Sequence, residues 1–210
     1  MSTGVLAPNP RSGVTLVAEA ALPTRFGRFR IGIFKVPQHS DVVAVWRGLP
    51  AAGSVLVRLH SECLTGDVFG SARCDCGIQL EASLRRLARA RSGVLIYLHQ
   101  EGRGIGLADK IRAYALQDRG LDTVDANTAL GLPIDARDYG SAAAVLRYLG
   151  ISRVRLLTNN PNKRRALEEH DIKVVERVPV ETPPTPVNLR YLRTKRDRMG
   201  HLLQLTPPPC

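Results

Sequence analysis

The sequence contains no apolar run that approaches the roughly 18 residues a membrane-spanning helix needs. Its first thirteen residues, MSTGVLAPNPRSG, lack both the basic start and the apolar centre of a secretory signal. Hydrophobic residues make up 44% of the 210 residues and charged residues 23%, as is ordinary for a globular domain. We therefore expect a cytoplasmic protein with no membrane partner.

Acidic residues are few relative to basic ones: 19 Asp and Glu stand against 30 Lys and Arg, which gives a net charge of +11. A surplus of this size favours anionic partners, namely nucleic acid, a phosphorylated small molecule or an acidic protein. Charge alone does not choose among them. The same number would arise if arginine served only to keep the protein soluble.

Cysteine is also scarce, but three of the four cysteines, Cys63, Cys74 and Cys76, fall within the stretch CLTGDVFGSARCDC. In a reducing compartment such a cluster indicates metal binding or catalysis more often than a disulfide. A structural zinc ion takes four protein ligands, whereas a catalytic zinc takes three and leaves one position open. Three cysteines therefore predict an open zinc site. Two alternatives stay open: a structural zinc completed by His60 or His99, and buried free thiols.

Apolar periodicity predicts strands that alternate with helices, which is typical of an α/β fold with a mixed sheet flanked by helices. The predicted strands are 18–23, 29–34, 42–46, 54–59, 94–98, 154–157 and 174–178. The predicted helices are 77–93, 107–118, 141–149 and 161–170, with irregular chain over 119–138. We expect one compact domain over 14–205, between a disordered tail at 1–13 and a proline-rich tail at 206–210 that includes Cys210.

Three blocks of the sequence, RLHSECLTGDVFGSARCDCGIQLE, HQEGRGIGLADKIRAYALQD and LLTNNPNK, resemble the signature blocks of the GTP cyclohydrolase II family. The resemblance extends from about residue 17 to residue 203. It implies that the domain opens the imidazole ring of GTP at the first step of riboflavin synthesis. The products would be formate, pyrophosphate and 2,5-diamino-6-(5-phospho-ribosylamino)pyrimidin-4-one. It also implies one Zn²⁺ per chain, Mg²⁺ on the GTP phosphates and a homodimer, and it argues against nucleic acid as a partner.

The resemblance assigns Cys63, Cys74 and Cys76 as the zinc ligands and Tyr114 as a residue that assists at the ring. Zinc lowers the pKa of bound water and so supplies hydroxide to attack an electron-poor carbon. Three thiolates leave the site negatively charged, so we expect its water to be less acidic than in a three-histidine site. Without the resemblance, Tyr114 would be read as a half-buried aromatic on a helix.

Asp135 and Arg137 match the family's proton acceptor and its nucleophile on the α-phosphorus. In extended chain, residues two apart point the same way, so the two side chains could meet. A guanidinium is protonated at any ordinary pH, which makes it a poor nucleophile. Arg137 could instead stabilise charge on the transferring phosphoryl group while water attacks. An exposed loop ion pair is the plain alternative.

Twelve further residues match substrate contacts of the family: Arg58, Leu59, His60, Ser61, Glu62, Gln79, Glu101, Gly102, Arg103, Thr123, Thr158 and Lys163. Arginine can fork onto phosphate oxygens, whereas Glu62 would reach phosphate through Mg²⁺. The amide of Gln79 offers the donor and the acceptor that reading a guanine edge requires. Gln79 and Thr123 could otherwise be ordinary polar groups of a helix start or loop, and 101–104 could be a plain strand-to-helix turn with a surface arginine.

Three rival functions follow from the same sequence. The first is a family relative in a specialised pathway that keeps the formyl group, against which the tyrosine at 114 argues. The second is a zinc-stabilised nucleic-acid binder that uses the basic stretch 190–196, although that stretch is also typical of a solvated helix face. The third is a protein that kept the fold and lost activity, which the filled chemical positions argue against.

Overall fold

The computed structural model describes residues 13–49 and 52–205. The predicted tails 1–13 (apart from Gly13) and 206–210, with Cys210, lie outside the described residues. The domain limits 14–205 therefore stay a prediction.

Seven strands form one mixed sheet in the order β1-β2-β3-β5-β4-β6-β7. The first three pairings, β1 with β2, β2 with β3 and β3 with β5, are antiparallel, and the other three are parallel. The strands are β1 (Thr15–Thr24), β2 (Gly27–Lys35), β3 (Val42–Arg47), β4 (Val55–Ser61), β5 (Gly93–Leu98), β6 (Arg153–Leu157) and β7 (Lys173–Val178). The predicted mixed α/β sheet flanked by helices is confirmed.

The described residues also form seven α-helices, of which the first six lie between strands and the last follows β7. They are α1 (Leu64–Asp67), α2 (Cys76–Arg89), α3 (Leu107–Asp118), α4 (Thr123–Ala129), α5 (Gly140–Tyr148), α6 (Pro161–Glu169) and α7 (Leu189–Asp197). The prediction of irregular chain over 119–138 was wrong, because α4 lies within it. Asp122 starts α4, since its side chain accepts hydrogen bonds from the backbone N–H groups of Val124 and Asp125. A helix of seven residues is too short for an apolar period to reveal it.

Strand β4 shows how the sheet separates two hydrophobic clusters. Val57 and Leu59 face the cluster built with α5 and α6, whereas Leu56 belongs to the cluster that α2 covers with Leu87. Side chains alternate between the faces of a strand, so Arg58, like Leu56, lies on the α2 face. One face of β4 therefore packs into a hydrophobic cluster, whereas the other face carries polar side chains beside an apolar one.

Helix α7 is not the solvated face that the basic stretch 190–196 suggested. Leu192, Thr194 and Lys195 are buried, with at most 9% of each exposed. The apolar and long aliphatic side chains of this helix pack inward although its sequence is mostly charged.

Within the described ranges, no helix combines the length and the apolar character needed to cross a bilayer.

Candidate functional site

One cleft lies where the parallel strands β4, β5 and β6 end, and its empty space, including open solvent at the mouth, is about 1120 Å³. In α/β sheets the carboxyl ends of neighbouring parallel strands meet at one edge, where ligands bind. Every sequence-predicted site residue lines this cleft except Leu59 and Asp135. Residues from strand ends, turns and helices as far apart as Arg58 and Lys163 are thereby brought together.

Leu59 is fully buried in the core, on the opposite face of β4 from Arg58 and His60. Strand alternation turns its side chain away from the cleft, and the substrate contact expected of Leu59 stays a prediction. Its backbone contributes instead: the Leu59 carbonyl oxygen accepts a hydrogen bond of 2.8 Å from Lys163 Nζ.

The thiol groups of Cys63, Cys74 and Cys76 lie within 4.8 Å of one another, and Cys63 Sγ is 3.7 Å from Cys74 Sγ. Tetrahedral zinc with Zn–S bonds of about 2.3 Å would hold its sulfurs about 3.8 Å apart. The three soft donors therefore fit one Zn²⁺ and leave its fourth position toward the cleft that they line. No histidine joins these thiols in a cluster of possible metal ligands in the part of the chain described here.

Two glycines make room for the thiols. A Cβ on Gly66 would lie 2.9 Å from Cys74 Sγ and 3.2 Å from Cys63 Sγ. A Cβ on Gly77 would lie 2.2 Å from the carbonyl oxygen of Gly66. Helix α1 can therefore pack against the start of α2 and enclose the sulfurs only because both positions lack a side chain.

Lys110 of α3, which sequence reasoning missed, donates a hydrogen bond of 3.2 Å to Cys63 Sγ and one of 2.7 Å to Glu101 Oε1. Hydrogen bonds from Cys74 and Cys76, with help from the Lys110 ammonium group, lower the pKa of Cys63. The thiol hydrogen bond with Cys63 and burial raise the pKa of Cys74 to about 11. The Lys110 ammonium group therefore lies where it stabilises negative charge on the Cys63 sulfur.

Asp67, the last residue of α1, holds the backbone of Cys63. Its carboxylate accepts hydrogen bonds from the Cys63 N–H (3.1 Å), the Tyr97 hydroxyl (3.0 Å) and His60 Nε2 (2.9 Å). Burial lowers the pKa of His60, so its imidazole is neutral and Nε2 carries the proton that it donates. His60 therefore orients the Asp67 carboxylate, which in turn holds the backbone of Cys63. In this arrangement His60 is not part of the cluster of possible metal ligands.

Tyr114 of α3 lies beside the thiols. Its hydroxyl is 3.5 Å from Thr65 Oγ1, which is 3.7 Å from Cys63 Sγ. The Arg73 guanidinium and the Lys110 ammonium lie 5.0 and 5.7 Å from its ring centroid. Burial raises the pKa of Tyr114, although Thr65 and Lys110 oppose the shift. The phenol is therefore protonated at neutral pH and can donate to a group bound near the thiols.

The polar groups of β4 and α2 form a buried chain of hydrogen bonds. Arg58 donates to the Leu157 carbonyl oxygen (3.1 Å) and to Gln79 Oε1 (2.8 Å), and Gln79 Nε2 donates to Asp75. Lys195 of α7 closes the chain, with Nζ 3.0 Å from Asp75 Oδ1. Arg58 Nε is buried and has no hydrogen-bond partner among the described residues.

The turn Glu101–Gly104 carries backbone strain at the cleft. Arg103 has a φ of 64°, in the left-handed region that side chains other than glycine rarely adopt. Glu101 anchors the turn because its carboxylate accepts from the Leu64 N–H (2.6 Å) and the Gly102 N–H (2.8 Å). The Arg103 guanidinium lies 5.8 Å from the ring centroid of Tyr191. Strain of this kind at a cleft accompanies ligand binding in many proteins.

The junction of β6 and α6 presents a buried lysine. The Asn160 side chain accepts from the Asn162 N–H (2.9 Å) and thereby starts α6, while Thr158 Oγ1 accepts from the Asn160 N–H (3.0 Å). Lys163, in the first turn of α6, is 5% exposed. Burial and the positive charges of Arg58, Arg137 and Lys195 hold the pKa of Lys163 well below its ordinary value. A bound anion would reverse that shift.

Arg137 and Asp135 form a two-point ion pair, with Nε to Oδ1 at 2.8 Å and Nη2 to Oδ2 at 2.5 Å. The Arg137 side chain is 10% exposed and that of Asp135 is 24% exposed, so this is no free surface pair. Burial opposes the charge on Arg137, but the hydrogen bonds to Asp135 more than offset it and raise the pKa of Arg137. Arg137 thus faces the cleft as a fixed cation with Asp135 behind it.

Two predicted polar residues occupy the rim. Glu62 Oε2 lies 3.0 Å from His99 Nδ1, and Thr123 is the first residue of α4. Both line the cleft.

Several cleft residues were missed by sequence reasoning: Arg73, Lys110, Tyr191, Lys195 and His201. With the predicted Arg58, Arg103, Arg137 and Lys163, they bring seven Lys and Arg residues to a cleft whose acidic residues are Glu62 and Glu101. Burial and four of these cations lower the pKa of His201 to about 3, so it stays neutral. The cleft is therefore built for a polyanion.

Comparisons with known proteins agree with the resemblance to the GTP cyclohydrolase II family. The family model described as GTP cyclohydrolase II matches residues 15–179. The chain is 57% identical over 193 residues to the riboflavin biosynthesis protein RibBA of Salinispora tropica, covering 90% of this chain and 48% of that protein. It is 54% identical over 195 residues to GTP cyclohydrolase-2 of Streptomyces coelicolor, covering 92% and 88%. It is 53% identical over 194 residues to GTP cyclohydrolase-2 of Acinetobacter baumannii strain AYE, covering 91% and 97%. The chain thus spans about half the length of RibBA and most of the other two.

Proposed function

The chain belongs to the GTP cyclohydrolase II family, and from that premise we propose that it hydrolyses GTP to formate, pyrophosphate and 2,5-diamino-6-(5-phospho-ribosylamino)pyrimidin-4-one in riboflavin synthesis. One observation carries the proposal: three thiols with zinc spacing share a cleft with seven cationic side chains. The thiols suit chemistry at the ring and the cations suit a triphosphate.

Cys63, Cys74 and Cys76 would hold the zinc ion, one per chain. When bound there, zinc supplies an acidified water at its open position. Lys110 offsets the negative charge of the thiolates through its hydrogen bond to Cys63. Tyr114 lies one hydroxyl group, that of Thr65, away from Cys63 and would donate its proton to the ring nitrogen as the ring opens.

The phosphates would lie among Arg103, Arg137 and Lys163. Arg103 lines the cleft from its strained turn, and a bound phosphate would favour the protonated form of the buried Lys163 side chain. Glu62, at the rim, would reach the phosphates through Mg²⁺, a cation that prefers carboxylate and phosphate oxygens. Gln79 would contact the guanine edge through the second N–H of Nε2, whose first N–H donates to Asp75, and through Oε1, which also accepts from Arg58.

We assign Arg137 the stabilisation of charge on the α-phosphorus, with water as the attacking group and Asp135 as the carboxylate that orients the guanidinium. The two-point ion pair and the raised pKa of Arg137 support this role, because a nucleophilic arginine must first lose its proton. A guanylyl adduct on Arg137 would contradict it. Because the P–N bond of such an adduct is labile in acid, the adduct is sought by intact mass after rapid quenching in denaturant at alkaline pH.

The nucleic-acid rival keeps Arg190, Arg193 and Arg196 as exposed basic residues, whereas Lys195 of the same stretch is buried and lines the cleft. A relative that keeps the formyl group would need the ring step to be impaired, and Tyr114 is in place. As the resemblance implies, we infer a homodimer that works in the cytoplasm.

The test is to measure formate and pyrophosphate from GTP with Mg²⁺ and zinc-loaded protein, beside a Cys74→Ser variant. We expect equimolar products from the natural protein and loss of formate from the variant. Pyrophosphate alone would indicate a formyl-retaining relative. Absence of both products, together with tight and salt-sensitive binding of RNA or DNA, would support the nucleic-acid rival.

A further inference from the structure

The cleft extends beyond the part of the chain that matches the family model. That match ends at residue 179, yet Tyr191, Lys195, His201 and Leu203 also line the cleft. Tyr191 and Lys195 belong to α7. Helix α7 therefore contributes two side chains to the cleft from outside the matched residues.

Lys195 reaches the turn that carries two of the three thiols. Its Nζ lies 3.0 Å from Oδ1 of Asp75, the residue between Cys74 and Cys76. Both side chains are buried, with 11% of Lys195 and 2% of Asp75 exposed. No second Lys or Arg of the described chain forms an ion pair with Asp75.

Asp75 transmits this contact to the neighbouring polar groups. Its Oδ2 accepts a hydrogen bond from Gln79 Nε2, and Gln79 Oε1 accepts one of 2.8 Å from Arg58. The backbone carbonyl oxygen of Asp75 also accepts from the Gln79 N–H at 2.9 Å. The orientation of the Gln79 amide and the start of α2 therefore both depend on where Asp75 is held.

Helix α7 is itself fastened on both sides of the cleft. Arg198 pairs with Asp122 and Asp125 at the start of α4. On the other side, the Leu202 N–H donates 2.8 Å to the Asn159 carbonyl oxygen, in the loop after β6. The position of Lys195 is thus fixed by the fold and not by Asp75 alone.

We propose that Lys195 is a positioning residue, which holds the turn Cys74–Asp75–Cys76 and the Gln79 amide in their binding geometry through its ion pair with Asp75. A buried carboxylate between two ligand thiolates is surrounded by negative charge and turns toward water unless a cation holds it. Outer residues that orient metal ligands commonly change metal affinity by about 10- to 100-fold when they are lost. This inference rests on the proposed zinc site.

The experiment compares zinc affinity by competition with a chromophoric chelator, with folding checked by circular dichroism. The variants are Lys195→Met, Lys195→Arg, Asp75→Asn and the double variant Lys195→Met with Asp75→Asn. Arg193→Met, an exposed position of the same helix, is the matched control. We expect Lys195→Met to weaken zinc binding by about 10-fold or more, Lys195→Arg to recover most of it and Arg193→Met to change nothing. The double variant should bind zinc no more weakly than the single variant with the lower zinc affinity, because the two substitutions remove the same interaction.

Each contrary result has its own meaning. If the natural protein itself binds no zinc, the proposed function fails. If Lys195→Met binds zinc as tightly as the natural protein, the inference is overturned. Weaker binding of a non-hydrolysable GTP analogue by the same variant would then indicate that Lys195 contacts the substrate directly. Multiplying losses in the double variant also overturn it. Should Lys195→Met not fold, the double variant, which leaves no unpaired buried charge, decides between these outcomes.

Discussion

Arg103 combines a strained backbone with a side chain at the cleft, and the two can be separated by substitution. The left-handed conformation costs most residues about 1 to 2 kcal/mol, and glycine avoids that cost. Glycine also loses more chain entropy on folding, so we expect Arg103→Gly to be more stable than Arg103→Ala by up to about 1 kcal/mol. Both variants lose the guanidinium, and we expect the KM for GTP to rise about 10-fold or more in each.

Urea unfolding and steady-state kinetics check this pair. Equal stability of the alanine and glycine variants would mean that the turn carries no strain. An unchanged KM in both would remove Arg103 from the phosphate site.

The lowered pKa of the buried Lys163 predicts that the protein takes up protons when it binds GTP. Its pKa is lowered in the free protein by burial and by neighbouring cations, and bound phosphate favours the charged form and raises that pKa. At a pH between the two values the lysine is neutral before binding and protonated after it, so uptake approaches about one proton per site. Calorimetry of a non-hydrolysable GTP analogue in buffers of different ionisation enthalpy measures this number.

Lys163→Arg is the control for proton uptake, since arginine keeps its proton before and after binding. The difference between the natural protein and this variant reports Lys163 alone. Binding heats that do not depend on the buffer at any pH from 6 to 9 would contradict the prediction.

At the scale of single residues, the sequence predicted the groups that stand in recognisable blocks and missed those defined by distant partners. Cys63, Cys74 and Cys76 are close along the chain, and the structure brings their sulfurs together. Lys110 and Lys195 meet Cys63 and Asp75 across 47 and 120 residues. A lysine on a helix is ordinarily a solvated residue, so no local signal separates these two from the others.

Among the elements, the packing of α1 against α2 sets the space for the thiols. We expect Gly66→Ala to lower zinc affinity at least about 10-fold, because its Cβ would overlap Cys74 Sγ and Cys63 Sγ. Val68→Ala, two residues away and 66% exposed, should leave zinc affinity unchanged. Chelator competition measures both. Zinc binding by Gly66→Ala equal to that of the natural protein would show that α1 can move away without cost.

The strands and the helices with an apolar stripe or a clear start signal were predicted, whereas the short helices α1 and α4 were not. Strand β5 is an apolar run and α2 shows an apolar stripe of Leu80, Leu84 and Leu87, both of which the sequence announces. Helix α4 is too short for a period. Helix α7 is rich in arginine and lysine, so its buried side cannot be identified until the cleft that it covers is known.

For the whole molecule, the surplus of positive charge predicts a salt-dependent enzyme. A net charge of +11 and a cleft rich in Lys and Arg favour the binding of anions such as the proposed substrate GTP. Added salt weakens such attraction, because the screening length is about 8 Å at physiological ionic strength. We expect the KM for GTP to rise several-fold between 0.05 and 0.5 M NaCl while kcat changes less than about twofold. Sucrose at equal osmolality is the control. A fall in kcat at constant KM would place the salt effect on a later step.

The contact between Lys195 and Asp75 has a consequence for synthesis of the protein. The two residues are 120 positions apart, and a ribosome that adds about 5 to 20 residues per second needs roughly 6 to 24 seconds to travel that distance. During this interval the nascent chain carries all three cysteines without the lysine that steadies their turn. On the proposed role of Lys195, zinc bound before α7 is translated should therefore be held about 10-fold less tightly than in the finished protein.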